Sequence, residues 1–365
     1  MPALNESLGR RVRYRAKKRN PRHRCMPRGH WVHVSSRVVR GRYAFVPPED
    51  GGLFVLLMWG IIGRAQIRYG VDVAIAVVAS NHLHCLLRSD RPGAISAFMQ
   101  YVKAGFARLT HKTYETSGPV WDGPFRASTI LDVEAEEFWF AYILAHLTKD
   151  GVTPRPNQWP GLQCVDHLLN GTSPRGLWFD YQAWDDKGRP DDRTPFYREV
   201  IVKLTPLTGW ERYPAERYRA FCKKVFDHVV ADHADKHFVG VPAALAISPM
   251  FEPAEVKRSR CPAFSAMGPL ADELLKAAYE ARREGTGAVM AAVAKVVEQG
   301  RAAVTHEDAD PEHPWTDLPD GFDYPPVIND AFDDAPIVGP FLPPDAPLPR
   351  WPAKWGDPPR VIGDG

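Results

Sequence analysis

Apolar and polar positions between residues 30 and 150 switch repeatedly between a period near two and a period near 3.6. His30 to Arg37 (His-Trp-Val-His-Val-Ser-Ser-Arg) is rich in β-forming residues and predicts a first strand. Leu53, Leu56, Leu57, Ile61, Ala65 and Ile67 recur at helical spacing and predict a buried helix that Gly70 ends. Val71 to Val78 is a run of Val, Ile and Ala, expected as a buried strand, and residues 81–88 form the next strand. After the Pro92-Gly93 turn, Ile95, Phe98, Met99, Val102, Phe106 and Leu109 make one stripe along a helix from Ala94 to Thr113. Phe125 to Leu131 reads as a strand. Asp132 is placed to cap a helix from Glu134 to Leu147 with an acidic first turn, and Gly151 and Pro154 stop it. The order β-α-β-β-α-β-α predicts an α+β fold: a ferredoxin-like split β-α-β sandwich, its central sheet antiparallel-rich and its helices packed on one face.

From residue 155 the pattern weakens. Residues 155–195 are rich in Pro, Gly, Asp and Arg and hold few long apolar runs. A strand is expected at 197–204. A helix is expected at 215–234, with Tyr218, Phe221, Cys222, Val225, Phe226 and Val229 on one side, and further helices at 270–284 and 288–301. The chain therefore divides into a flexible basic arm (1–25), a main domain (26–160), a mostly helical, partly disordered extension whose role the sequence does not give (161–304), and an acidic Pro-rich tail (305–365) expected to lack a packed core.

Charge sharpens this division. Residues 1–42 carry thirteen Lys/Arg against Glu6 alone, whereas residues 301–365 carry thirteen Asp/Glu against four bases, so a net charge of +2 hides two poles. A basic arm suits a polyanion, because each cation that meets a phosphate releases counterions. Five scattered cysteines without a Cys-x-x-Cys spacing support neither a zinc ribbon nor a disulfide framework, and fit a reducing cytoplasm. The charged N-terminus does not read as a secretory signal. The longest apolar run, from Leu53 to Ile62, is too short to span a bilayer, so no membrane partner is expected.

Candidate chemistry lies in two short stretches. In Asn81-His82-Leu83-His84 the two histidines share one strand face. Tyr142 and His146, four apart, share one helix face. If that helix crosses that strand, three imidazoles converge on one divalent cation, and a phenol arrives beside them as a nucleophile for a phosphodiester. The plainer reading of each is an edge strand with polar residues, a core aromatic within Phe138-Trp139-Phe140, and a histidine that complements a helix C-terminus.

The segment from about 26 to 160 resembles the single-tyrosine HUH (His-hydrophobic-His) transposases, the IS200-like transposase domain, and among them the REP-associated tyrosine transposases. The matching residues are Met26-Pro27-Arg28 with His33-Val34-Ser35-Ser36-Arg37, Asn81-His82-Leu83-His84, the helix from Phe98 to Ala107 with Lys103, Val120-Trp121-Asp122-Gly123-Pro124-Phe125-Arg126, and Tyr142-Ile143-Leu144-Ala145-His146 followed by Gly151-Val152. The resemblance implies Tyr142 as nucleophile and His82 and His84 as metal ligands, with His146 where the family usually has Asn or Gln. Leu147 replaces the usual Pro, and Pro124 stands where an Arg is expected. A histidine third ligand biases the site from Mg²⁺ towards Mn²⁺. The expected activity is metal-dependent nicking and joining of single-stranded DNA through a 5′-phosphotyrosine. The alternative is a domesticated DNA-binding protein, weak or inactive in catalysis, that recognises hairpin repeats. Arg28, Arg37, Lys103, Arg108 and Arg126 are the expected phosphate contacts. Hairpin recognition is implied by the resemblance alone. Family members differ in whether the tyrosine works in its own chain or in a partner's, so a homodimer is a further expectation.

Overall fold

The computed structural model describes residues 25–48, 51–248, 250–253, 261–282 and 284–303. The basic arm, apart from Cys25, and the acidic tail lie outside the described residues.

Seven elements build the core: β1 (Val32–Arg37), α1 (Gly52–Tyr69), β2 (Asp72–Val78), β3 (His82–Arg88), α2 (Ala94–Tyr114), β4 (Arg126–Ile130) and α3 (Val133–Lys149). Each forms where the periodicity places it. Gly70 closes α1 in the left-handed region at φ 63°, its N–H bonded to Gln66 O. Asp132 Oδ1 accepts from Ala135 N at 2.8 Å and caps α3.

β3 and β4 flank β1 and β2 lies outside β3, every pair antiparallel, so the order is β2-β3-β1-β4. That is two interleaved split β-α-β units, and the expected mixed α+β class holds. The helices do not all pack on one face. α1 and α2 lie together and pack on each other, as crossovers of the usual right hand would place them. The third helix, α3, crosses the opposite side, which carries His82 and His84. With both faces covered, the strands are buried almost throughout.

The extension contributes more than helices. After α4 (Val165–Asn170), β5 (Arg175–Phe179), α5 (Tyr181–Asp186) and β6 (Tyr197–Ile201) form a hairpin with an inserted turn of helix. The hairpin lies on α1 at a glycine-to-glycine contact: a Cβ on Gly60 would stand 1.8 Å from Leu177 O, and one on Gly176 2.1 Å from Gly60 N. α6 (Ala215–Asp232) packs on the outer side of α3, with Phe140 and Phe221 ring centroids 5.6 Å apart. Helix α3 is thus held between the sheet and α6, which is why every residue from Ala135 to Thr148 is buried. Beyond α7 (Val241–Leu245), β7 (Phe264–Ser265) joins β4 in parallel as a fifth strand. α8 (Ala271–Ala281) and α9 (Thr286–Ala303) form a second apolar cluster with Leu131 and Phe264. The five cysteines are unbridged. Among the described residues no helix is long and apolar enough to cross a membrane.

Candidate active site

Strand register builds the floor of the site. Across β1 and β3, Arg37 faces His82, Ser35 faces His84 and His33 faces Leu86. Partners across an antiparallel pair project to the same side, so Arg37, Ser35, His33, His82 and His84 share the face that α3 crosses. From α3, His146 completes the group: the donor nitrogens of His82, His84 and His146 all lie within 4.8 Å of one another, and all three residues are buried. The Nε2 atoms of His82 and His146 contact each other directly.

Outer partners fix how these rings are turned. Asn81 Nδ2 donates to Gly41 O at 3.1 Å, which leaves Asn81 Oδ1 facing His82 Nδ1 at 2.5 Å. A carbonyl oxygen only accepts, so His82 Nδ1 carries the proton and Nε2 keeps its lone pair towards the cluster. His33 Nε2 and His84 Nδ1 share a hydrogen bond of 2.8 Å. His33 is in turn stacked on Trp139 of α3, centroids 3.8 Å apart and 14° from parallel. On the far side, Asp150 Oδ2 is 3.5 Å from His146 Nε2.

Burial sets the charge state. Desolvation pushes His84 down to about 3, aided by the charge of Lys149. His82 and His146 are lowered well below the ordinary imidazole range, first by burial and then because a proton on either would meet any proton on His84 and the standing charge of Arg37 or Lys149. His33 falls for the same reasons. Neutral imidazoles with oriented lone pairs are what a divalent cation requires, and three of them, buried and backed by Asn81 and His33, fit one.

Tyr142 stands one helical turn before His146, and its ring centroid is 5.9 Å from that of His84 and 6.0 Å from that of His146. Tyr142 is 2% exposed, and its ring lies among Phe138, Trp139 and His33. Lys149 places its Nζ over the same ring, 4.8 Å from the centroid.

The sequence-predicted basic residues are spread more widely. Arg37 lies at the site, close enough to His82 for its charge to depress that imidazole. Lys103 donates to Gly123 O and lies over Trp121, whose Nε1 donates back to Lys103 O, so the pair pins the loop that runs beside the end of β1. Arg28 and Arg108 are exposed. Arg126 faces Ser35 in the sheet and lies near Cys261. His33, Asn81, Lys149 and Asp150 were not assigned roles by sequence reasoning. The alternation His33-x-Ser35-x-Arg37 was the available signal for the first of them.

Residues 57–146 match the family model described as "Transposase IS200 like", a stretch that runs from within α1 to His146. This stretch is similar to that family, and the resemblance read from its motifs is met. No curated protein matches the chain. Among solved structures, the chain is similar to a REP-associated tyrosine transposase bound to a REP hairpin, at 13% identity over 52% of this chain and 95% of that one, with a TM-score of 0.29. It is also similar to a transposase-like protein from Deinococcus radiodurans, at 16% identity over 31% of this chain and 87% of that one, with a TM-score of 0.24.

Proposed function

We propose that this chain nicks and rejoins single-stranded DNA, with Tyr142 as nucleophile and His82, His84 and His146 as ligands of a divalent cation. The observation that carries the reading is the meeting, within one chain, of the three-histidine cluster and the Tyr142 ring about 6 Å from two of its members. A bound divalent ion would supply Lewis-acid polarisation of the phosphate. Tyr142 Oη forms a bond to phosphorus and the bond from phosphorus to the 3′ oxygen breaks. The phenol proton is lost and the 3′ oxygen gains one, leaving a 5′-phosphotyrosine and a free 3′-OH. Attack by a 3′-OH reverses these changes, so the joining step needs no nucleotide cofactor. Because the tyrosine reaches its own chain's histidines, the reading is of action in cis. With three imidazoles the site favours Mn²⁺ over Mg²⁺.

Single-stranded DNA fits because a buried phenol needs a splayed backbone to reach it. Of the basic residues picked out in the sequence, Arg37 is the one placed to meet the strand at the site, on the His82 side, and Arg28, Lys103, Arg108 and Arg126 are proposed to contact phosphates farther along. Hairpin DNA is proposed as substrate on the motif resemblance.

The test is incubation of the full chain with labelled hairpin and single-stranded oligonucleotides under Mn²⁺ or Mg²⁺, followed by a denaturing gel. A covalent adduct that is absent in Tyr142→Phe is the expected result. The deep burial of Tyr142 favours a second reading, a DNA-binding protein that does not cleave. Binding without an adduct under either metal would establish that reading instead.

A further inference from the structure

We propose that Lys149 is the phosphate contact of this site: its ammonium, seated over the Tyr142 ring at the solvent side, binds a non-bridging oxygen of the phosphodiester presented to that phenol. The inference rests on the reading of Tyr142 as nucleophile.

Helix geometry puts Tyr142, His146 and Lys149 on one face, at i, i+4 and i+7. Along α3 every residue from Ala135 to Thr148 is buried, and Lys149 is the first to regain partial exposure. The Nζ is 4.8 Å from the Tyr142 ring centroid. A partly exposed cation therefore lies over the face of a buried phenol. Its charge also reaches the histidines, since it disfavours protonation of His84 and His146.

An anion entering this position has few other sources of compensation on α3. The three imidazoles are held neutral by burial and add no charge of their own. Asp150, whose side chain is 7% exposed and 3.5 Å from His146 Nε2, repels an anion on its side. A phosphate is thereby steered to the Lys149 side of His146, next to Tyr142. An ammonium–phosphate hydrogen bond in a partly dehydrated site is among the stronger polar contacts a protein makes. Lys236 Nζ is engaged with Lys149 O and braces the backbone of this turn rather than the ammonium.

The experiment uses the full chain, inorganic phosphate as probe, and Mn²⁺ as a paramagnetic reporter. Mn²⁺ affinity is measured first by calorimetry in wild type, Lys149→Met and Lys149→Arg. Phosphate is then titrated and its ³¹P relaxation followed, with a parallel calorimetric titration on the metal-free chain. The expected result is phosphate binding by wild type, an affinity about tenfold weaker in Lys149→Met, near-complete retention in Lys149→Arg, and Mn²⁺ affinity no weaker in Lys149→Met than in wild type, because the change removes a positive charge beside the ligands. Equal phosphate affinity in wild type and Lys149→Met overturns the proposal, as does an absence of phosphate binding by wild type. A failure of wild type to bind Mn²⁺ would instead overturn the metal reading, and Lys149 would be judged on the metal-free titration by the same comparison.

Discussion

His33 Nε2 lies 2.8 Å from His84 Nδ1, joining β1 to β3 through two imidazoles as well as through the backbone ladder. The bond fixes the orientation of a proposed ligand from outside the ligand set, and Trp139 holds the other flank of His33. Removing such an outer partner commonly costs about 10–100-fold in metal affinity. His33→Ala is expected to weaken Mn²⁺ binding within that range while the far-ultraviolet dichroism is retained. Unchanged affinity in a folded variant would show that His84 needs no such support.

His146→Asn restores the residue type expected from the motif resemblance. An amide oxygen is a harder donor than an imidazole nitrogen, so the variant should lose affinity for Mn²⁺ and lose less for Mg²⁺. The ratio of the two dissociation constants, measured calorimetrically, checks this. A ratio that stays where it is in wild type would mean that His146 does not ligate.

Stability should depend on pH through the buried start of α3. Burial raises Glu136 from 4.5 to about 8, outweighing the stabilisation of its charged form by Thr208 and Arg88. Glu137 rises to about 7 for the same reason, opposed by its hydrogen bond from Trp210 Nε1. A carboxyl whose folded value is raised contributes its stability in full below its unfolded value and loses it as pH climbs through the folded one. Below about pH 6.5 the four buried histidines, lowered from that value, give the opposite slope, so the chain should melt at progressively lower temperature as pH rises from about 6.5 to about 8. Glu136→Gln, neutral throughout, should flatten the slope. Parallel slopes in the two proteins would assign the pH dependence elsewhere.

Gly60→Ala tests the seat of the β5–β6 hairpin. The added Cβ would stand 1.8 Å from Leu177 O, a backbone atom that cannot rotate away. The hairpin must lift, at a cost of about 1–3 kcal/mol. A lower melting temperature and faster proteolysis between residues 175 and 201 are expected, with Mn²⁺ affinity unaltered because the histidines lie across the sheet. A melting temperature equal to wild type would show the contact to be looser than described.

What could be read from the chain follows from distance along it. His82 with His84, and Tyr142 with His146, are pairs whose shared direction is fixed by strand and helix repeats, so their faces were legible without a fold. The meeting of the two pairs, and the part played by His33, depend on which strands adjoin and in what register, which local pattern does not encode. The strand expected at 197–204 is met by β6, whereas its partner β5 escaped notice because Gly176 interrupts a short apolar run, and because α1, on which the hairpin lies, is more than a hundred residues away. One signal was present but unused. The unbroken run of apolar and aromatic residues in α3 from Phe138 to Ala145 already called for cover on two sides, whereas a single-faced sandwich offered cover on one.

The seating of Phe140 against Phe221 and Tyr218 means that the transposase-like stretch ends, in sequence, before the residues that shelter its last helix. A fragment cut near residue 160 would carry all four of His82, His84, Tyr142 and His146, yet would turn the back of their helix out into water. Such a fragment should self-associate through that bared aromatic strip. Any recombinant or evolutionary trimming of this chain that preserves its chemistry must therefore keep α6, even though α6 itself supplies none of the proposed reacting groups.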